Sequence, residues 1–264
     1  MKILFIGDIV GKIGRRMIHD HLEEIIKKHQ IDFVIANGEN ASHGKGLLSS
    51  HYFQLIDDGI DAITLGNHYD NKNEIRRYID RVDRLIRPLN LTHPYPGEGS
   101  IVFEIEGITI RVTNLLGTAM MPEEVNNPYY ALMELMSEDE FEQTNIHIID
   151  FHAEATGEKQ ALAFALDGKV SAVLGTHTHV QTNDAHILPK GTAFISDVGM
   201  TGYADGVLGS TSETVVNKLI YGQQSKFQVP DEGRGIFSAV VVDIDDMSGM
   251  AKQIFPIYYL ENEN

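Results

Sequence analysis

Two histidines that are two residues apart, His177 and His179, follow an apolar run at residues 170–174 and a glycine, Gly175. A run of this length with β-branched residues predicts a buried strand that stops at the glycine. If the backbone stays extended beyond Gly175, both imidazoles point to the same side, where neutral ring nitrogens can bind a transition-metal ion. Two histidines alone do not complete a metal site, so we expect further ligands from other strand ends.

Four other apolar runs also end in side chains that can bind a metal ion. These side chains are Asp8, Glu39, Asn40, Asn67, His68 and His152. In open α/β sheets, ligands bind outside the carboxyl ends of the strands, so we expect all five groups to meet in one crevice. Together they exceed the needs of one tetrahedral ion, whereas two ions that share a carboxylate would use them. Two ions about 3.5 to 4 Å apart can stabilise the oxygens of a phosphoryl displacement and supply hydroxide at neutral pH.

The elements that position these side chains alternate between strand and helix along the first third of the chain. Helical periodicity is visible in an amphipathic stripe at residues 15–28, and a second helix is expected at residues 49–58, ending at Gly59. We expect Gly11 and Gly14 in the loop before the first helix, and Gly199 and Gly202 in a tight turn. Short apolar runs predict strands at residues 3–6, 33–36, 62–65, 86–89, 146–151, 193–195, 237–244 and 254–260. A hairpin is expected to join residues 101–106 to residues 108–115. The polar stretch at residues 73–84 predicts an exposed helix.

Composition restricts the class of protein. With 264 residues and 42% hydrophobic content, the chain is long enough for one large α/β domain or two small ones. The net charge of -17 argues against a sequence-independent grip on long nucleic acid or an anionic membrane, although bound cations would still admit a small anionic substrate. Cysteine is absent, which excludes disulfides and suits a reducing cytoplasm. No apolar stretch has the length of a signal peptide or membrane span, so we expect a cytoplasmic protein, with homo-oligomerisation left open.

In order and spacing, the strand-end side chains resemble those of the calcineurin-like metallophosphoesterases. The whole chain is similar to the bacterial YmdB-like branch of that superfamily, in residues 37–41 (NGENA), 150–156 (DFHAEAT) and 176–182 (THTHVQT). The resemblance implies a single domain over residues 1–264, built as a four-layer αββα sandwich with mixed sheets. It also implies a binuclear iron or manganese centre and phosphodiesterase activity on small or cyclic nucleotides, such as 2′,3′-cyclic nucleotides, through attack of a metal-bridging hydroxide.

The resemblance also implies a role for each motif residue. The first ion would be bound by Asp8, Glu39, Asn40 and His179, and the second by Glu39, Asn67, His152 and His177. Glu39 would bridge the two ions. His68 is not assigned to a metal; it would donate a proton or a hydrogen bond to the leaving oxygen or to the phosphoryl group.

Two positions depart from the family pattern. Most of the superfamily has a histidine ligand two residues after the first aspartate, whereas this chain has Val10 there, so Asn40 must replace it and the first site should be weaker. The YmdB-like branch usually has a tryptophan two residues after the histidine of the Gly-Asn-His motif, where this chain has Asp70. The chain contains no tryptophan, so Tyr69 is the neighbouring aromatic residue that could stack on a substrate base.

Two other functions are compatible with the same residues. A phosphomonoesterase would use the same ions and would favour a basic side chain near them, for which Lys45, Arg87 and Lys190 are the loop candidates. A non-catalytic, metal-bound scaffold for a protein partner has no physical need for an unliganded imidazole such as His68. The acidic, methionine-rich stretch 118–143 is compatible either with a small helical cap over the site or with a plain surface helix.

The remaining polar residues carry weaker expectations. Asp150 and Glu154 flank His152 and either orient a metal ligand or are simply solvated. His43, between glycines in the loop after Asn40, either contacts a substrate phosphate or has no role in the site. The other histidines are interpreted as ordinary surface or packing residues; they are His19, His21, His29, His51, His93, His147 and His186.

Overall fold

A computed structural model describes residues 1–137 and 144–262. Its strands are β1 (Lys2–Ile6), β2 (Asp8–Ile9), β3 (Phe33–Asn37), β4 (Ala62–Thr64), β5 (Leu85–Ile86), β6 (Ser100–Ile105), β7 (Ile108–Leu116), β8 (Ile146–His152), β9 (Ala172–Thr176), β10 (His186–Ile187), β11 (Ala193–Ile195), β12 (Met200–Tyr203), β13 (Gly235–Ile244) and β14 (Ala251–Leu260). Its helices are α1 (Gly11–His29), α2 (Ser49–Asp57), α3 (Ile75–Tyr78), α4 (Pro128–Ser137), α5 (Thr156–Leu166) and α6 (Ser212–Leu219), and a 3-10 turn (Ile79–Arg81) follows α3.

These strands form two mixed sheets. The first has the order β2-β12-β13-β1-β3-β4-β5, with β14 also paired to β13. In it, β1, β3, β4 and β5 are parallel, while β13 is antiparallel to β1. The second sheet has the order β10-β11-β9-β8-β7-β6, with a parallel centre of β11, β9, β8 and β7. Ligands of open α/β sheets bind outside the carboxyl ends of the parallel strands, so we expect the loops at those ends to form the site.

The two sheets pack face to face because alternate residues of each strand point to opposite faces. In β1, Ile3 and Phe5 enter the core between the sheets, whereas Leu4 and Ile6 pack under the helices on the outer face. Helices α1 and α2 cover the outer face of the first sheet, and α4 and α5 cover that of the second. The predicted αββα sandwich with mixed sheets is therefore confirmed.

Some local predictions were wrong. Gly11 and Gly14 do not lie in a loop but in α1, which begins at Gly11. A Cβ atom on Gly14 would be 2.4 Å from the carbonyl oxygen of Thr201, so the helix needs glycine there to approach β12 closely. Gly202 lies within β12 rather than in a turn. The predicted exposed helix at residues 73–84 is only α3 and its 3-10 turn, and Ile75 is fully buried.

The stretch predicted as cap or surface helix, residues 118–143, is partly outside the described residues. Its described part is a loop followed by α4, whose Leu132 is buried in the outer core of the second sheet. This helix is therefore anchored by packing. Across the described ranges, no helix is long and apolar enough to cross a membrane.

The ring of His147 on β8 is buried and neutral, which makes stability depend on pH. Burial, together with the charge of Arg111, lowers the pKa of His147 to about 3. Between the folded-state pKa of about 3 and the unfolded-state pKa of about 6.5, His147 is protonated in the unfolded chain but neutral in the folded chain. The free energy of unfolding therefore falls as the pH drops from 6.5 towards 3. We expect protonation of His147 in the unfolded chain to lower the free energy of unfolding by about 2 kcal/mol when the pH falls from 7.5 to 5.

Urea unfolding of the wild type and of His147→Gln at both pH values measures this contribution. The variant should lose about 2 kcal/mol less than the wild type over the same interval, because the other titrating groups are common to both chains. Identical losses in the two proteins would contradict the prediction.

Candidate metal centre

The five predicted strand ends meet at one edge of the sandwich. Three belong to the first sheet: Asp8 begins β2, Glu39 and Asn40 follow β3, and Asn67 and His68 follow β4. Two belong to the second sheet: His152 is the last residue of β8, and His177 and His179 follow β9. Packing of one sheet on the other is what brings these two sets together.

The carboxylate of Glu39 lies at the centre of the group. Its Oε1 is 3.3 Å from His152 Nε2 and 3.3 Å from His68 Nδ1. Its Oε2 accepts a hydrogen bond from the backbone N–H of His68 at 2.8 Å. Burial alone raises the pKa of Glu39, but the charges and hydrogen bonds of His152 and His68 hold it well below its usual range. Glu39 is therefore an ionised carboxylate that contacts residues from both sheets.

The donor atoms of Glu39, His152 and His177 lie within 4.8 Å of one another and form the tighter half of the site. His177 Nδ1 is 3.0 Å from His152 Nε2, and the same Nε2 is 3.0 Å from Asn67 Oδ1. Burial lowers the pKa of His177 to about 3. Burial also opposes the charge on His152, but the charge and hydrogen bond of Glu39, with the charges of Asp8 and Asp150, together raise the pKa of His152 to about 9. The surrounding carboxylates therefore favour a positive charge at His152, whereas His177 is neutral.

The other half of the site is looser. His179 Nε2 lies 3.8 Å from Asp8 Oδ1 and 3.3 Å from Asn40 Nδ2. Burial raises the pKa of Asp8, and the nearby histidines oppose that effect. The Asn40 amide turns its nitrogen towards Glu39 and its oxygen towards His68 Nδ1, at 2.7 Å. Ligation through the Asn40 oxygen therefore requires the amide to turn over.

The outer contacts of the three histidines direct a lone pair of each ring into the site. Thr176 donates its hydroxyl proton to Asp150 at 2.7 Å, so it must accept from His152 Nδ1, 2.9 Å away. His179 Nδ1 donates to a backbone carbonyl at 3.2 Å, and His177 Nε2 faces the Glu154 carboxylate at 3.2 Å. The opposite nitrogen of each ring is left as an acceptor. Those of His152 and His177 face each other at 3.0 Å, and that of His179 faces Asp8 and the Asn40 amide nitrogen.

This donor set fits a metal ion. Nitrogen lone pairs separated by 3.0 Å, next to a carboxylate and an amide oxygen, repel one another unless a proton or a cation lies between them. Oxygen and imidazole ligands without thiolate are those that iron and manganese accept. For Asp150 and Glu154 the sequence left open an orienting role or simple solvation; Asp150 contacts His152 through Thr176, and Glu154 faces His177 directly.

The backbone beyond Gly175 is not extended, although the two imidazoles were predicted to point to the same side only if it were. His177 has a φ of 100° and His179 a φ of 66°, both in the left-handed region. The two rings nevertheless both reach the site. His177 also donates its backbone N–H to Asp8 Oδ2 at 3.1 Å, which joins this loop to the first sheet.

A buried ion pair that the sequence did not reveal supports the histidine loop. Lys159 on α5 donates to Asp197 Oδ2 at 2.9 Å and to the carbonyl of Thr176 at 2.8 Å. The same carboxylate oxygen accepts from the backbone N–H and the hydroxyl of Thr178, at 2.9 and 2.7 Å. Thr178 lies between the two histidines, so the ion pair fixes the turn that presents them.

Replacing Lys159 by methionine is expected to lower the unfolding free energy by about 3 kcal/mol, because it leaves a buried carboxylate without its counter-charge. Urea unfolding at neutral pH measures the loss. Lys169→Met, at an exposed lysine of the following loop, is the matched control and should change stability by less than about 0.5 kcal/mol. Equal effects in the two variants would show that the ion pair does not stabilise the loop.

The backbone at Gly66, immediately before Asn67, closely approaches two side chains of the site. A Cβ atom there would be 2.4 Å from Glu39 Oε2 and 2.6 Å from the ring of His152. Only glycine leaves room for both side chains at this point. The glycine that precedes the Asn-His pair is therefore required by the site as well as by the turn.

A second contact that the sequence did not reveal involves Glu123, in the loop before α4. Its Oε1 accepts from Asn67 Nδ2 at 3.1 Å, which directs the Asn67 oxygen towards His152. The only signal in the sequence was the acidic character of the stretch 118–143. The ring of His43 lies beside that of His51, with 6.0 Å between the ring centroids.

Comparison with known proteins gives a consistent result. The profile of a family described as YmdB-like protein matches residues 4–257. A 2′,3′-cyclic-nucleotide 2′-phosphodiesterase of Bacillus subtilis (strain 168) is 47% identical over 254 residues, which cover 96% of this chain and 95% of the relative.

Two solved structures are also similar over nearly the whole chain. A crystal structure described as a novel phosphatase from Mycoplasma pneumoniae superposes with a TM-score of 0.92 at 38% identity and covers 100% of this chain and 94% of that one. A hypothetical protein from Thermus thermophilus superposes with a TM-score of 0.91 at 38% identity and covers 99% of this chain and 100% of that one.

Proposed function

Since the chain belongs to the YmdB-like protein family, we propose that it is a metal-dependent phosphodiesterase that hydrolyses small or cyclic nucleotides, 2′,3′-cyclic nucleotides among them. The single observation that carries this proposal is that the ring nitrogens of His152 and His177 and the carboxylate of Glu39 lie within 4.8 Å of one another. By the name of its Bacillus subtilis relative, we assign the ester at the 2′ oxygen as the bond that opens.

Two ions per chain, iron or manganese, are proposed at this centre. Asp8, Glu39, Asn40 and His179 would bind the first, and Glu39, Asn67, His152 and His177 the second, so that Glu39 bridges them. Such ions polarise phosphoryl oxygens and make a water nucleophile available at neutral pH. The shorter distances around His152 support tighter binding at the second position, in line with the exchange of a histidine for Val10 beside the first.

His68 is proposed as the proton donor. Its Nδ1 contacts Asn40 and Glu39, whereas its Nε2 has no hydrogen-bond partner within residues 1–137 and 144–262. The ring is thus fixed at one nitrogen and free at the other, with 22% of the side chain exposed. As water adds to phosphorus and the bond to the 2′ oxygen breaks, a proton at Nε2 would pass to that oxygen. The products are a phosphomonoester and a free hydroxyl.

A phosphomonoesterase is less well supported. A monoester carries more negative charge than a diester and would be received best by a free cation. Among the described residues, the lysine that contacts the site is Lys159, and its charge is already paired with Asp197. Arg87, one of the candidates from the sequence, donates instead to the carbonyl of Pro88.

The proposal is tested by loading metal-stripped protein with manganese and measuring hydrolysis of a 2′,3′-cyclic nucleotide beside the matching 3′-monophosphate. We expect turnover of the cyclic diester, release of the 3′-monophosphate, and no turnover before metal is added. Faster hydrolysis of the monoester would favour the phosphatase instead. No turnover of either substrate by protein with two bound ions would favour the non-catalytic scaffold.

A further inference from the structure

A cavity of about 310 Å³ opens directly beside the candidate metal centre. Tyr69, which lines it, follows His68 in the chain, and Glu123, which also lines it, accepts a hydrogen bond from Asn67 at 3.1 Å. The cavity is therefore adjacent both to the proposed proton donor and to a proposed ligand. A substrate whose phosphate lies at the centre would extend its remaining part into this space.

The walls of the cavity are suited to a flat ring. Tyr69 and His93 provide aromatic surface, with 3.5 Å between the tyrosine hydroxyl and His93 Nε2, and Leu91 and Val125 provide aliphatic surface. Tyr69 also packs nearly perpendicular to the ring of Tyr95, whose centroid is 4.8 Å away. Aromatic side chains that are held in place in this way bind nucleobases by stacking.

The position that departs from the family pattern, Asp70, supports this wall rather than lining it. Asp70 accepts a hydrogen bond from the Tyr95 hydroxyl at 2.7 Å and forms an ion pair with Arg76. The Arg76 guanidinium also lies 5.1 Å from the centroid of the Tyr95 ring. Asp70 thus anchors Tyr95, and Tyr95 in turn contacts Tyr69, the aromatic side chain next to His68 that is able to stack on a base.

The polar groups of the cavity determine which end of a substrate it accepts. Glu123 and Glu124 line it, and none of the described lysines or arginines does, so a phosphate would be repelled. Glu123 Oε2 is buried and has no hydrogen-bond partner in the described part of the chain. Because Glu123 lines the cavity, a small turn of its carboxylate would bring this unpaired oxygen to a ligand that donates an N–H group, and the missing hydrogen bond favours that turn.

We propose that this cavity binds the base of the nucleotide substrate and prefers bases with an exocyclic amino group. The inference rests on the proposed phosphodiesterase activity and adds to it the orientation and the base preference of the substrate. Tyr69 and His93 would contact the base by stacking, and Glu123 would accept from its amino group. Cytosine and uracil differ in this group, since cytosine has an amino donor where uracil has a carbonyl oxygen.

The stacking contact is tested with Tyr69→Leu on two substrates, cytidine 2′,3′-cyclic phosphate and methyl riboside 2′,3′-cyclic phosphate, which lacks a base. We expect kcat/KM for the nucleotide to fall about tenfold and kcat/KM for the base-free substrate to stay unchanged, because only the former can stack. Tyr221→Leu, at a tyrosine that is 66% exposed, is the matched control and should leave both values unchanged. Equal losses on both substrates would overturn the proposal.

The carboxylate is tested by the ratio of kcat/KM for cytidine and uridine 2′,3′-cyclic phosphates. The wild type should favour cytidine about tenfold, and Glu123→Gln, which keeps an oxygen acceptor for Asn67, should bring the ratio towards one. A wild-type ratio of one would overturn the preference.

If no substrate is hydrolysed, the proposed function fails, and calorimetry with the two 3′-monophosphates still decides the base site. Tighter binding of cytidine 3′-monophosphate that Tyr69→Leu weakens supports the site, and equal binding of both by both proteins overturns it.

Discussion

Replacing His68 by alanine is expected to lower kcat for 2′,3′-cyclic nucleotide hydrolysis by about 10²- to 10⁴-fold, the usual contribution of a positioned acid or base. The ring is held at Nδ1 by the Glu39 carboxylate, 3.3 Å away, so its removal takes away a group oriented for proton transfer from Nε2. Bound metal, measured by elemental analysis, should remain unchanged because no ligand is lost.

The dependence on the leaving group separates proton donation from mere placement of the phosphate. A p-nitrophenolate leaves without a proton, so the loss in His68→Ala should be much smaller for a p-nitrophenyl diester than for a cyclic nucleotide. His19→Ala, on the exposed face of α1, is the matched control and should retain full activity. The same loss on both substrates would contradict a role as proton donor.

The Glu39→Gln variant is expected to lose most of its bound metal and to lower kcat/KM by about 10³-fold or more. Glu39 contacts donors from both sheets, so its charge is shared by both halves of the site. Removal of that charge leaves Asp8 as the one anionic ligand, beside three imidazoles and two amides, to bind two ions. Loss of metal-ion stabilisation, worth several kcal/mol at the transition state, accounts for the size of the effect.

Elemental analysis and turnover after manganese loading measure both parts of this prediction. Glu23→Gln, at an exposed glutamate of α1, is the control and should keep metal and activity. Circular dichroism should show that both variants are folded. A Glu39→Gln protein that retains two ions would show that Glu39 does not bridge them.

Much of this fold could be predicted from the sequence, because the information was local. Short apolar runs that end at Gly7, Gly38, Gly66 and Gly175 predicted the parallel strands, and the structure confirmed them as β1, β3, β4 and β9. Period-two alternation also predicted the hairpin of β6 and β7. The predictions that failed, such as Gly11 and Gly14 in a loop, failed because glycine was needed for packing of α1 on β12 rather than for a turn.

The types and spacing of the strand-end residues determined by themselves which side chains could bind metal, since the carboxyl ends of parallel strands share one edge of a sheet. Only the tertiary structure decided how they are presented. The left-handed turn at His177 and His179 depends on Asp197, which is paired with Lys159, 38 residues away in the chain. The orientation of Asn67 depends on Glu123, 56 residues further along. Such contacts leave no periodic trace in a sequence, because they arise where separate elements pack, and packing of the two sheets is what creates this site.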